Sequence, residues 1–148
     1  MARLTLSEFA LKMSEIMPFI MREFVKTQAN EFYKLKVTLP QFVVMDLLNR
    51  LGKTRMTDIA NSIGVTTAAM TGIVDRLARD GYLVRIDDTK DRRVTKIALT
   101  KKGAYVVGKI TRHRRDTIIK IFGMLSQRER ETYLAILTTI RDRLKNRE

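Results

Sequence analysis

The chain has 148 residues, 45% of them hydrophobic, which is enough for one domain with a buried core and too many for a disordered segment. Its 29 Lys and Arg against 16 Asp and Glu give a formal net charge of +13, an excess that repels itself unless a polyanion compensates it. The absence of cysteine excludes disulfides, thiolate metal sites and thiol redox sensing, and no apolar run approaches the ~18 residues of a membrane span.

The first predicted helix opens at Thr5-Leu6-Ser7-Glu8, a capping box. Behind it Phe9, Met13, Ile16, Met17, Ile20 and Phe24 recur at helical spacing, and the stretch from Ile16 to Met21 is apolar all round. Such a helix needs cover on more than one side, which points to a partner chain. Pro18 inside the run is expected to kink or split the helix.

Thr38-Leu39-Pro40-Gln41 is a second capping box, for a helix through about Asn49 that ends at Leu51-Gly52-Lys53-Thr54. The triplet Gly52-Lys53-Thr54 is a helix stop rather than a phosphate loop, because position 47 is Leu where that loop needs Gly. Two short helices follow, Thr57–Ile63 and Thr66–Arg79, separated only by Gly64-Val65. The period then changes to that of strands over Tyr82–Ile86 and Val94–Leu99, with a polar turn between them. Thr100 caps a long helix to about Phe122, and Ser126-Gln127-Arg128-Glu129 is a third capping box. The last helix carries Tyr133, Leu137, Ile140 and Leu144 at heptad-like spacing. The expected fold is mainly α, with four helices, a β-hairpin and two more helices.

The segment from Met56 to Ile73 fits a helix-turn-helix. Ala60 is the small residue where two helices cross, and Gly64 permits a turn with positive φ. Ile59, Ile63, Val65, Met70 and Ile73 supply the packing. With Met70, Ile73, Val74 and Leu77 facing inward, Thr66, Thr67, Ala68, Thr71, Gly72, Asp75 and Arg76 face outward. Thr66 and Thr67 lie at a helix N-terminus, where free N–H groups and the helix dipole favour a phosphate, although Thr66 can equally serve as a cap. Small and hydroxyl side chains allow close approach to a major groove and contact with thymine methyls.

The charge is regional. Residues 1–34 hold five basic and four acidic side chains, whereas residues 76–102 hold nine basic and four acidic ones. Lys90, Arg92 and Arg93 at the hairpin tip form a basic wing suited to a narrow minor groove. Lys101 and Lys102 beside it are further candidates for phosphates, and Arg112, Arg114 and Arg115 read as a solvated face.

Asp91-Arg92-Arg93 followed by Leu99-Thr100 gives D-x-R-x5-L-T, and with Val74-Asp75-Arg76-Leu77 and Asp80–Arg85 the chain resembles the MarR family of winged helix-turn-helix transcription regulators. The resemblance implies that Asp91 orients an arginine of the wing, that Arg93 is the minor-groove finger, and that the protein is an obligate, intertwined homodimer. On this reading residues 35–100 are the DNA-binding domain, and residues 1–34 and 101–148 the helical dimerisation region. The expected dimer contacts are Phe9, Met13, Ile16, Tyr133, Leu137, Ile140 and Leu144. The resemblance also implies a ligand-responsive repressor on a pseudo-palindromic operator, taking no cofactor but answering to a small aromatic or lipophilic effector. Met13, Met17, Met21, Phe24 and Met45 could line its pocket or could simply be core. Gly72 departs from the basic residue that many relatives carry there, which removes a guanine contact from that position.

A single His, no Cys and no clustered carboxylates leave little from which to build an enzyme or a metal site. A DNA-binding architectural protein without sequence preference and a winged domain that binds only protein are the rival readings. The expected location is the cytoplasm, with no signal-peptide pattern at the start of the sequence.

Overall fold

The computed structural model describes residues 4–87 and 94–146. In chain order the elements are α1 (Leu6–Leu35), α2 (Leu39–Leu51), β1 (Thr54–Arg55), α3 (Met56–Ile63), α4 (Thr67–Arg79), β2 (Leu83–Asp87), β3 (Thr95–Leu99), α5 (Lys101–Phe122) and α6 (Gln127–Lys145). Packing divides the chain into a first unit up to His113 and a second from Arg114 onward.

All three predicted capping boxes form. Thr5 opens α1, with its N–H donating to Glu8 Oε2 at 2.8 Å and its hydroxyl accepting from the Glu8 N–H at 3.2 Å. Thr38 and Gln41 repeat the arrangement on α2, and Ser126 and Glu129 on α6. The backbone N–H and hydroxyl of each cap hold the Glu8 and Glu129 carboxyls below the ordinary glutamate range. The expected split of the first helix at Pro18 is corrected, since α1 runs unbroken through it. A thirty-residue helix capped at both ends carries the loss of one N–H donor. At its far end Lys36 takes a left-handed conformation, and Val37 N–H returns to Phe32 O at 3.1 Å.

The sheet of the first unit is antiparallel in the order β1-β3-β2. Leu83 faces Leu99 and Asp87 faces Thr95 in the predicted hairpin, while Thr54 pairs with Ile97 on the opposite edge of β3. This third strand was not expected, because two residues are too few to display a period. Ile97 on the central strand is fully buried. Around it lie Phe42, Met45 and Leu48 of α2, Ile59 of α3, Met70, Val74 and Leu77 of α4, and Val106, Val107 and Ile110 of α5. Phe32 of α1 packs edge-to-face on Phe42 with ring centres 5.6 Å apart. In the second unit Phe122 stacks on Tyr133 at 5.3 Å, and α6 buries no residue.

Candidate nucleic-acid interface

Helix α3 ends at Gly64, whose φ of 74° lies in the left-handed region that glycine enters without strain. Val65 N–H then reaches back to Ala60 O at 3.1 Å, so the chain reverses within three residues. Ala60 is buried at the crossing, as its small size requires. Thr66 caps α4, its hydroxyl accepting from the Ala69 N–H at 3.2 Å. Helix geometry leaves the N–H groups of Thr67 and Ala68 in this first turn without intrahelical acceptors.

The two faces of α4 fall as the sequence pattern requires. Met70, Val74 and Leu77 have no exposed surface and Ile73 packs against the core. Thr66, Thr67, Ala68, Asp75 and Arg76 are exposed, whereas Thr71 and Gly72 are half-buried. The Thr71 hydroxyl donates to Thr67 O at 2.9 Å, which leaves its methyl as the freer contact surface. Asp75 pairs with Arg85 on β2, tying the outer face of the helix to the base of the hairpin. Lys90, Asp91, Arg92 and Arg93 lie outside the described residues.

Lys101 is exposed. Lys102, also expected to meet phosphate, is exposed too, and its ammonium is engaged by the scaffold. Its Nζ donates to Asp80 O at 2.7 Å and lies 4.7 Å from the centre of the Tyr82 ring. Thr100 Oγ1 donates to Gly81 O at 2.7 Å, and the Tyr82 hydroxyl donates to Leu35 O at 3.4 Å. The turn after α4 is therefore latched to both α5 and α1. Sequence inspection missed this latch, since its partners lie between 18 and 47 residues apart.

The other expected residues are dispersed along their helices. Met45 is wholly enclosed in the core, while Met17 and Met21 are exposed on α1 and Met13 and Phe24 half-buried. Phe9, Ile16, Tyr133, Leu137, Ile140 and Leu144 are exposed apolar side chains. His113 Nε2 lies 3.0 Å from Thr27 O, a contact between α5 and α1. Among the described residues there is no cluster of His, Cys, Asp and Glu able to hold a metal ion, and no helix long and apolar enough to cross a membrane.

A glycine-broken pair of helices, the second outward-facing along one row and followed at once by an antiparallel hairpin, defines a winged helix-turn-helix protein. The model of the MarR family matches residues 37–95, a span that holds the helix pair and the first strand of the hairpin. The transcriptional repressor MdtR of Bacillus subtilis is 28% identical over 120 residues, covering 79% of this chain and 77% of the relative. The crystal structure of RV1404 from Mycobacterium tuberculosis superposes with a TM-score of 0.81 at 26% identity, covering 96% of each chain. A point mutant of MepR from S. aureus, solved bound to an oligodeoxyribonucleotide, gives 0.70 at 23% identity over 88% of this chain and 96% of that one. Over residues 37–95 the chain is similar to the MarR family, and its fold is shared with solved transcriptional regulators.

Proposed function

We propose that the protein is a homodimeric, sequence-specific double-stranded DNA-binding regulator, a repressor that releases its operator when a small aromatic or lipophilic molecule binds. The helix at 66–79 enters the major groove and the wing at 87–93 the adjacent minor groove. One observation carries the reading. The core consumes the Met70, Ile73, Val74 and Leu77 face of α4, and Thr67, Ala68 and Arg76 are exposed along its length. The regional excess of positive charge and the DNA-bound relative of the same fold support it.

Dimerisation is supported by apolar side chains that a single chain leaves in water, such as Phe9 and Ile16 of α1 and Leu137 and Ile140 of α6. Two modules on a two-fold axis would read half-sites roughly 34 Å apart, hence a pseudo-palindrome. The exposed thioethers of Met17 and Met21 and the half-buried Met13 and Phe24 make α1 the adaptable wall of the proposed effector pocket.

Competition binding tests the reading. DNA fragments selected from a random pool should bind about 10³-fold or more tightly than bulk DNA, with affinity falling steeply in salt. Equal affinity for all sequences would make the protein architectural. Binding that ignored salt would remove nucleic acid as the partner.

A further inference from the structure

Gly72 lies inside α4, where glycine is among the least favourable residues, and its φ is not one that only glycine adopts. Nor does packing require it. A Cβ built there would meet a single atom within 4 Å, Nη2 of Arg76 at 3.9 Å. The missing side chain therefore leaves a notch on the outward side of the helix, and the group at its edge is a guanidinium.

Helical side chains lean toward the N-terminus, so a residue covers the turn before its own Cα. Arg76, one turn beyond Gly72, accordingly lies back over position 72. Its charged neighbours on the helix are engaged, Asp75 with Arg85 and Arg79 with Asp80. Among the described residues Arg76 has no ion-pair partner, and its side chain is exposed.

We propose that Gly72 and Arg76 act together as a base reader. The arginine fork, seated in the glycine notch, presents two N–H groups to O6 and N7 of one guanine in each half-site. The inference rests on α4 entering a major groove, as argued above. The planar fork of arginine matches those two acceptors and the lysine ammonium does not. Glycine matters because a longer side chain at 72 would occupy the notch and lift the guanidinium away from the base edge.

The test uses the full-length protein and its preferred site selected from random duplexes. Affinity is measured for that site and for every single-base-pair substitution of it, at several salt concentrations. The wild type should lose ~5- to 100-fold on exchange of one G·C pair per half-site. Arg76→Lys and Gly72→Leu should reduce that penalty to under about threefold at the same position, with the salt slope unchanged, because neither alters charge. Gly72→Ala should keep the penalty, since a methyl at 3.9 Å from Nη2 is an ordinary contact. Circular dichroism confirms that each variant is folded. Arg76→Lys weakening all sites equally would assign Arg76 to phosphate and overturn the proposal. Retention of the full penalty in Gly72→Leu would overturn the role of the notch. A wild type with no preferred site fails at the first measurement, which separates failure of the regulator reading from failure of this one.

Discussion

Gly103, in the first turn of α5, is the position where the fold is least able to accept a methyl group. A Cβ there would lie 2.2 Å from Tyr82 O and 2.8 Å from Leu99 Cδ2, against a floor of 3.0 Å for real contacts. Backbone must therefore move by about 0.8 Å, and it cannot do so without loosening the latch behind α4. Thr100 N–H to Tyr82 O at 3.0 Å and Thr100 Oγ1 to Gly81 O at 2.7 Å are the bonds at risk. Losing two such bonds costs about 2 kcal/mol, and overpacking adds roughly 1–3 kcal/mol. The better helix propensity of alanine offsets about 1 kcal/mol. Gly103→Ala should therefore destabilise the protein by ~2–4 kcal/mol, lowering Tm by roughly 4–16 °C for a chain of this size. Gly108→Ala is the reference, because a Cβ there meets nothing within 4 Å and should stabilise by about 0.5–1 kcal/mol. Thermal unfolding followed by circular dichroism, at matched protein concentration, reads both. A Gly103→Ala protein that melts at or above the wild-type temperature would refute the close-approach argument.

Lys102→Met should weaken specific DNA binding about three- to tenfold with no change in salt slope, since its ammonium donates to Asp80 O. A slope smaller by about one per protomer would return it to the DNA. Arg93→Ala in the wing should weaken operator binding by about 1–3 kcal/mol while the dimer stays folded, as measured by titration and sedimentation; unaltered affinity would remove the wing from the mechanism. Pro18→Ala should raise Tm, because an exposed helix interior gains up to ~3 kcal/mol on losing proline, and an unchanged or lower Tm would show that α1 depends on the ring. Glu8 and Glu129 have folded-state pKa values below those of the unfolded chain. Their capping contribution is complete above the ordinary glutamate pKa and is lost as pH falls through the lowered values. Amide protection in the first turns of α1 and α6 should thus decline on acidification below about pH 4 while that of Ile59 and Val74 persists; uniform protection would count against the caps.

What could be read from the residues in order was mostly local. The boxes at Thr5, Thr38 and Ser126 form because donor and acceptor are three residues apart, a distance the helix itself fixes. The inward row of α4 and the left-handed Gly64 were legible for the same reason. What was hidden depends on contacts between distant segments. Lys102 is a candidate phosphate ligand by its charge, and only the approach of Tyr82 and Asp80 shows that its ammonium also holds the scaffold. Met45 looked like its fellow methionines on α1 as a candidate pocket wall, but it sits on the one face of α2 that the core encloses. The strand at Thr54–Arg55 has meaning only once β3 lies beside it.

The latch also explains how one helix can be both firmly placed and open to change. Base readout needs side chains held within about 0.5 Å, yet α4 buries a single narrow face. Orientation must then be fixed at the ends. At the start, Gly64 reverses the chain and Val65 N–H holds Ala60 O. At the finish, Tyr82 N–H donates to Leu77 O at 2.8 Å and Gly81 N–H to Ala78 O at 3.0 Å, with Lys102 on Asp80 O. Each of these contacts accepts at a backbone carbonyl, and none uses the side chain of Thr67, Ala68, Thr71 or Arg76. On the proposed reading, substitutions along the outward row therefore alter which bases are read without moving the helix.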